Sequence, residues 1–166
     1  KKTEEEERSM QRTIGVVTED GRGALSRISG LMDRRGFQVK GVTAGETQRS
    51  GHSRFTLVIG GDDRKAGQAV RQIRKMVGTV TVEDLTASGC VERCMMLLKF
   101  SPAPGQREAL FNAMNAFPHS VSEDRSHSVI FEMMGPSEQL NACLESVRGF
   151  GLVEAVKSGP LALGTD

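Results

Sequence analysis

The sequence predicts an α+β protein of two βαββαβ halves, each a four-stranded sheet with two helices on one face. Three observations predict it. Apolar residues alternate between a period of two and a period near 3.6, in the order strand, helix, strand, strand, helix, strand. That order recurs once within the 166 residues, and nineteen glycines supply the tight turns between the segments.

Residues 1–12 hold four acids and four bases and almost nothing apolar, so they cannot bury enough surface to offset the entropy of ordering and read as a flexible arm. The first half spans 13–86. Thr13 to Thr18 is β-branched and apolar, a strand. Ala24 to Arg35 repeats Leu25, Ile28, Leu31 and Met32 at helical spacing, and Phe37 to Val42 resumes alternation as a strand. Ser53 to Ile59 is a third strand. Lys65 to Val77 places Ala66, Ala69, Val70, Ile73, Met76 and Val77 on one helical stripe, and Val80 and Val82 begin the fourth strand.

The second half spans 87–166. Val91 to Phe100 is a strand, Ser101 to Gly105 a Pro/Gly loop, and Ala109, Leu110, Ala113, Met114 and Phe117 mark a helix. A short strand near Ser120 and another over Ser128 to Met134 follow. Gly135 and Pro136 break the chain before an amphipathic helix over Ser137 to Arg148, and Leu152 to Lys157 is the last strand. Both halves thus have ferredoxin-like order. A half of about 75 residues is marginal alone, so pairing between halves or between copies of the chain is expected.

Composition excludes several classes. Twenty-two Lys and Arg against 21 Asp and Glu give a net charge of +1, without the basic excess of a non-specific nucleic-acid binder. The first half carries +4 and the second −3. With no Trp, no Tyr and 7 Phe, the chain lacks stacking surfaces for RNA, and its candidate central strands TIGVVT and SRFTLVIG offer only Phe55. No apolar run reaches the roughly 18 residues of a membrane span, and no secretory core follows the N-terminal charges. The missing initiator Met reads as trimming. Three cysteines, at 90, 94 and 143, form no disulfide framework, which suits a reducing compartment. Cys90 and Cys94 are spaced too widely for a CxxC metal pair, and Cys143 falls on a helical apolar stripe as a core residue.

The segment joining the first strand to the first helix, Asp20-Gly21-Arg22-Gly23-Ala24-Leu25-Ser26, brings two glycines to a helix N-terminus whose N–H groups are unpaired. It is a ready anion or carboxylate site, or else a plain strand-to-helix turn. A dinucleotide fingerprint would need Gly where Ser26 stands and a parallel βαβ unit, and neither is present. His52, His119 and His127 lie far apart in sequence and read as solvated. Arg64, Lys65, Arg71, Arg74 and Lys75 lie opposite the second helix's apolar stripe and read as its solvated face. No nucleophile-and-base arrangement can be assembled, so no catalytic residue and no metal ligand is assigned.

Four separated stretches, RGALSRISGLMDRRGFQVKGVT (22–43), SRFTLVIGGDDR (53–64), VERCMMLLKF (91–100) and KSGPLALG (157–164), resemble the small regulatory subunits of acetolactate synthase, from about Thr13 to Gly164. The resemblance implies an N-terminal ACT domain followed by an ACT-like domain. It implies a non-catalytic subunit that activates a thiamine-diphosphate-dependent partner and makes it sensitive to a branched-chain amino acid, with valine first in order. Thiamine diphosphate, Mg and FAD would belong to that partner, and none to this chain. It implies a homodimer whose effector lies between two ACT domains, held by the loop Asp20 to Ser26 of one chain and by Gln38 and Val39 of the other. Nucleic acid and membrane are not among the expected partners. The compartment implied is the cytoplasm in a bacterium, and the plastid or mitochondrial matrix in a eukaryote. Family members usually carry Asn at the positions of Asp20 and Gln38. A carboxylate at 20 accepts the effector's ammonium but repels its carboxylate, while Arg22 adds a compensating cation. The alternatives are a free-standing amino-acid sensor with another partner, and an RNA-binding βαββαβ protein.

Overall fold

The computed structural model describes residues 11–19 and 23–165 and divides into two compact units, 1–91 with 159–166, and 92–158. The first unit opens with β1 (Gln11–Glu19), α1 (Ala24–Arg34), β2 (Gln38–Glu46) and β3 (His52–Gly60). It continues with α2 (Asp63–Arg74), β4 (Thr79–Asp84) and the single turn α3 (Leu85–Ser88). Its sheet is antiparallel in the order β2-β3-β1-β4. Ile14 and Val16 of β1 and Phe55, Leu57 and Ile59 of β3 all point to one face, because strand side chains alternate and these are every second residue. Ile28 and Met32 of α1 and Ala69 and Ile73 of α2 close that face into the core.

The second unit contains the rest of β5 (Cys90–Phe100), α4 (Arg107–Met114), β6 (Ser120–Asp124), β7 (Val129–Gly135), α5 (Ser137–Val147) and β8 (Leu152–Lys157). Its strand order β6-β7-β5-β8 repeats that of the first sheet. Met96, Leu98 and Phe100 of β5 and Phe131 and Met133 of β7 are buried under Leu110 and Met114 of α4 and Leu140, Cys143 and Val147 of α5. The α+β class and the two ferredoxin-like units agree with the sequence reading.

The structure differs from that reading in four places. Residues 1–10 of the expected arm lie outside the described residues, but Gln11 and Arg12 pair with Gly60 and Ile59 as the start of β1. The second helix stops at Arg74 rather than Val77, because the Thr79 hydroxyl donates to Ile73 O at 3.0 Å and Gly78 turns the chain at φ 82°. Val77, expected on the buried stripe, is therefore 87% exposed. The strand at 152–157 is not the last, since β9 (Leu161–Gly164) follows it. Finally, the units divide between Val91 and Glu92 rather than at 86/87, and residues from Gly159 onward, expected with the second half, belong to the first unit.

There the tail covers the face of the β2-β3-β1-β4 sheet opposite its helices. Pro160 lies over Gly41, Ala162 is buried, and the Arg54 guanidinium donates to Ala162 O at 3.1 Å. A side chain at Gly159 would meet the Thr43 hydroxyl at 2.5 Å and Val42 O at 3.0 Å, so only glycine permits this approach.

Candidate functional site

Gly23 stands just before α1 with φ 72° and ψ −4°, a left-handed conformation that glycine adopts without steric penalty. Its carbonyl accepts the first helical bond from Arg27 N–H at 3.0 Å. Ala24 is fully buried, whereas Leu25 is 48% exposed and Ser26 is also exposed. Asp20, Gly21 and Arg22 lie outside the described residues.

The start of α1 has neither a side-chain cap nor an acid in its first turn. Each other helix has one or both. Asp62 accepts from Lys65 N–H at the start of α2, Asp84 accepts from Thr86 and Ala87 N–H at α3, and Glu108 and Glu138 stand in the first turns of α4 and α5. Among the described residues, α1 is thus the helix whose N-terminal partial charge meets no protein acid. Beside it, Glu19 N–H donates to Gly78 O at 2.8 Å and ties the end of β1 to the start of β4.

Gln38 and Val39 open β2, paired with Gly60 and Ile59, and both are exposed. Gln11 pairs with the same Gly60 from the other side, so Gln38 lies at the beginning of β1, whereas the loop before Gly23 leaves from its far end at Glu19. Eight residue steps at about 3.3 Å put those ends roughly 26 Å apart, so one chain does not bring the two groups together. However, β2 is an edge strand. A two-fold antiparallel pairing of β2 with a second copy, centred near Val42, sets residue 38 of one chain opposite residue 46 of the other, at the loop end of that chain's sheet.

Two features were not foreseen. Thr18, 1% exposed, has a buried hydroxyl without a partner at the end of β1, on the same face as Ile14 and Val16. A polar residue at an inward position of an apolar strand was the signal for it. Arg54, beneath the tail, has a buried Nε without a partner. Only the return of 159–164 puts it there, and no local pattern signals that.

The histidines are not all solvated as expected. The His119 ring packs edge-on to Phe131 at 5.3 Å and its Nδ1 lies 2.9 Å from Phe117 O, while His52 Nε2 is buried without a partner. His127 is exposed. No group of three or more His, Cys, Asp or Glu suited to a metal ion occurs among the described residues. Cys143 is fully buried beside Met114, and burial pushes its thiol up to about 11; burial also raises Cys94, helped by the charge of Glu92. Since the thiolate is the nucleophile, iodoacetamide at pH 8 is expected to modify half-exposed Cys90 at least about tenfold faster than Cys94 or Cys143 until the fold is denatured. Mass mapping of the alkylated peptides measures this, and equal rates at all three would contradict the packing.

Two ferredoxin-like units, the first with a helix N-terminus that is uncapped and a β2 edge that is unpaired among the described residues, define a protein of the ACT-domain class. Residues 14–81 match the AHAS small subunit-like ACT domain, and residues 93–166 match the family described as the small subunit of acetolactate synthase. The chain is 32% identical over 154 residues to a chain from Archaeoglobus fulgidus named "Probable acetolactate synthase small subunit", covering 93% of this chain and 96% of that one. It is 31% identical over 151 residues to the acetolactate synthase small subunit of Aquifex aeolicus, covering 90% and 79%. Its fold matches the crystal structure of the acetolactate synthase small subunit from Thermotoga maritima with a TM-score of 0.84 at 24% identity, over 94% of this chain and 98% of that one. The chain belongs to the acetolactate synthase small-subunit family.

Proposed function

We propose that this chain is the non-catalytic regulatory subunit of acetolactate synthase, activating a thiamine-diphosphate-dependent catalytic subunit and conferring feedback inhibition by a branched-chain amino acid, valine first. The observation that carries the reading is the family match of both units in sequence order, from 14–81 to 93–166. The uncapped start of α1 supports the effector half of it. An amino-acid carboxylate would accept from the first-turn N–H groups, which meet no acid among the described residues, and its aliphatic side chain would lie against exposed Leu25. Thiamine diphosphate, Mg and FAD are assigned to the catalytic partner. The matching compartment is the cytoplasm in a bacterium, or an organelle matrix in a eukaryote.

The purified chain is expected to form no acetolactate from pyruvate alone, yet to raise the turnover of its cognate catalytic subunit and make it respond to valine, leucine or isoleucine. Unchanged rate and unchanged inhibition at saturating amounts of this chain would remove the basis of the assignment.

The effector site proposed here needs two chains, because Gln38 and the loop before Gly23 lie at opposite ends of one sheet. The protein is expected to sediment near twice 18.0 kDa or as a larger even oligomer. A strict monomer at tens of micromolar, with and without amino acid, would sink the shared site.

A further inference from the structure

Residues 159–164 are held to the first unit weakly. In β9 the leucines face outward, Leu161 at 65% exposure and Leu163 at 63%, and within that strand only Ala162 is buried. A strand anchored by apolar burial would turn the other way. Docking also leaves two buried polar atoms without a partner, Thr43 Oγ1 on β2 and Arg54 Nε on β3. Each gives up its hydration and receives no bond in return, and both would be wetted again if the segment lifted. Against these costs stand the bond from Arg54 to Ala162 O, a long one from Thr165 N–H to Gly89 O at 3.4 Å, the contact of Pro160 with Gly41, and the pairing of β9 with β5.

The same segment begins where the chain passes back from the second unit to the first. Ser158 is fixed within the second, where its N–H donates to Met95 O and its hydroxyl accepts from Met95 N–H, both at 2.9 Å. Gly159, the next residue, is fixed within the first, close against Thr43 and Val42 O. No linker residue stands between the two attachments, whereas such passages usually run through flexible linkers. Val42 is where the β2 pairing proposed above is centred, and Gln38 stands on the same strand. We infer that 159–164 is a releasable strap, in equilibrium between docked and lifted states, and that a bound amino acid favours the docked one. A strap docked on Thr43 steadies the strand that presents Gln38 to the effector, so effector and strap strengthen each other by the same factor. Because Ser158 directly follows β8, the state of the strap is passed to the second unit across one peptide bond. In its coupling to an amino acid, the inference rests on the effector site proposed above.

The contact at Gly159 sets the balance. A Cβ added there would stand 2.5 Å from Thr43 Oγ1 and 3.0 Å from Val42 O, so Gly159→Ala pushes the strap off the sheet. Thr43→Ala removes both the nearest obstacle and the unpartnered hydroxyl, so it favours docking. The two substitutions act on one contact in opposite senses, and neither position belongs to the loop before α1 or to the pair Gln38 and Val39.

The test is hydrogen exchange of the full chain, with central strand β7 as the reference, read beside amino-acid inhibition of the enzyme reconstituted with its catalytic subunit. Amides of 161–165 are expected to exchange at least about tenfold faster than those of 129–135, and a saturating inhibitory amino acid, valine first, to slow them by about fivefold or more while β7 is unchanged. Gly159→Ala should speed exchange of 161–165 and raise the valine concentration for half-inhibition by about tenfold, with activation of the catalytic subunit retained. Adding Thr43→Ala to it should recover at least about half of both effects. A wild-type strap that exchanges as slowly as 129–135 overturns the two-state strap. Exchange that ignores valine, in an enzyme that valine inhibits, overturns the coupling and leaves the regulatory reading standing. An enzyme that neither valine, leucine nor isoleucine inhibits overturns the effector site and the coupling with it. Joint loss of activation and inhibition in Gly159→Ala, unrelieved by Thr43→Ala, overturns the strap too, because it marks a residue needed only for folding.

Discussion

Gly23→Asp is expected to abolish feedback inhibition of the reconstituted enzyme while leaving its activation intact. Two effects act in the same direction. The residue sits at φ 72°, where a side chain strains the backbone, and an added Cβ would stand 3.3 Å from an Arg27 guanidinium nitrogen. The new carboxylate would also take the place of an effector carboxylate at the start of α1, drawn there by the same N–H groups and helix partial charge. Loss of the effector's anchor together with like-charge repulsion should weaken affinity by at least about a hundredfold. The fold should survive, because Gly23 lies at a helix end and an acid there stabilises the helix itself. Inhibition curves for valine, leucine and isoleucine, with wild-type and variant subunit, measure it. Equal inhibition by both would place the effector elsewhere, and no response of the wild type would mean that Asp20 and Gln38 have already removed it.

Phe131→Ala is expected to give the largest loss of stability, confined to the second unit. The ring is fully buried and meets three others edge-on: Phe100 at 5.9 Å, Phe111 at 5.2 Å and His119 at 5.3 Å. Removing it opens a cavity bounded by sheet and helices that cannot collapse independently, at a cost of about 3–5 kcal/mol. A domain is stable by about 5–15 kcal/mol, so this would remove roughly a fifth or more of what holds residues 92–158 together. Urea unfolding followed by proteolysis of the second unit should show its midpoint falling while cleavage sites in the first unit stay protected. Phe131→Leu, which keeps most of the volume, should lose far less. A loss under about 1.5 kcal/mol for the alanine variant would show that the cluster is not the centre of this core.

Much of the secondary structure was legible because its causes are local. Leu110 and Met114 are four residues apart and fall on one helical face, and Met96, Leu98 and Phe100 alternate and fall on one sheet face, whatever the rest of the chain does. Val77 shows where that reasoning stops. It continues the stripe of Ile73 in sequence, but the turn at Gly78 ends the helix first and leaves it in solvent. Gly23 was legible as a turn glycine next to a helix start. The missing cap of α1 required seeing which side chains approach each helix.

The sequence alone determined the order of the elements, the two-unit plan and the family, since periodicity, turn residues and motif order are properties of short stretches. Tertiary structure alone decided three further points. Strand order made β2 an edge and set Gln38 at the opposite end of the sheet from Gly23. The return of 159–164 covered one open sheet face and enclosed the Arg54 Nε beneath it. In the second unit the pairing register brought Glu132 and Val156, tens of positions away, beside Leu97 on one sheet face. Each of these depends on contacts between residues tens of positions apart, and a local pattern constrains which face a side chain takes but not which strand lies beside it.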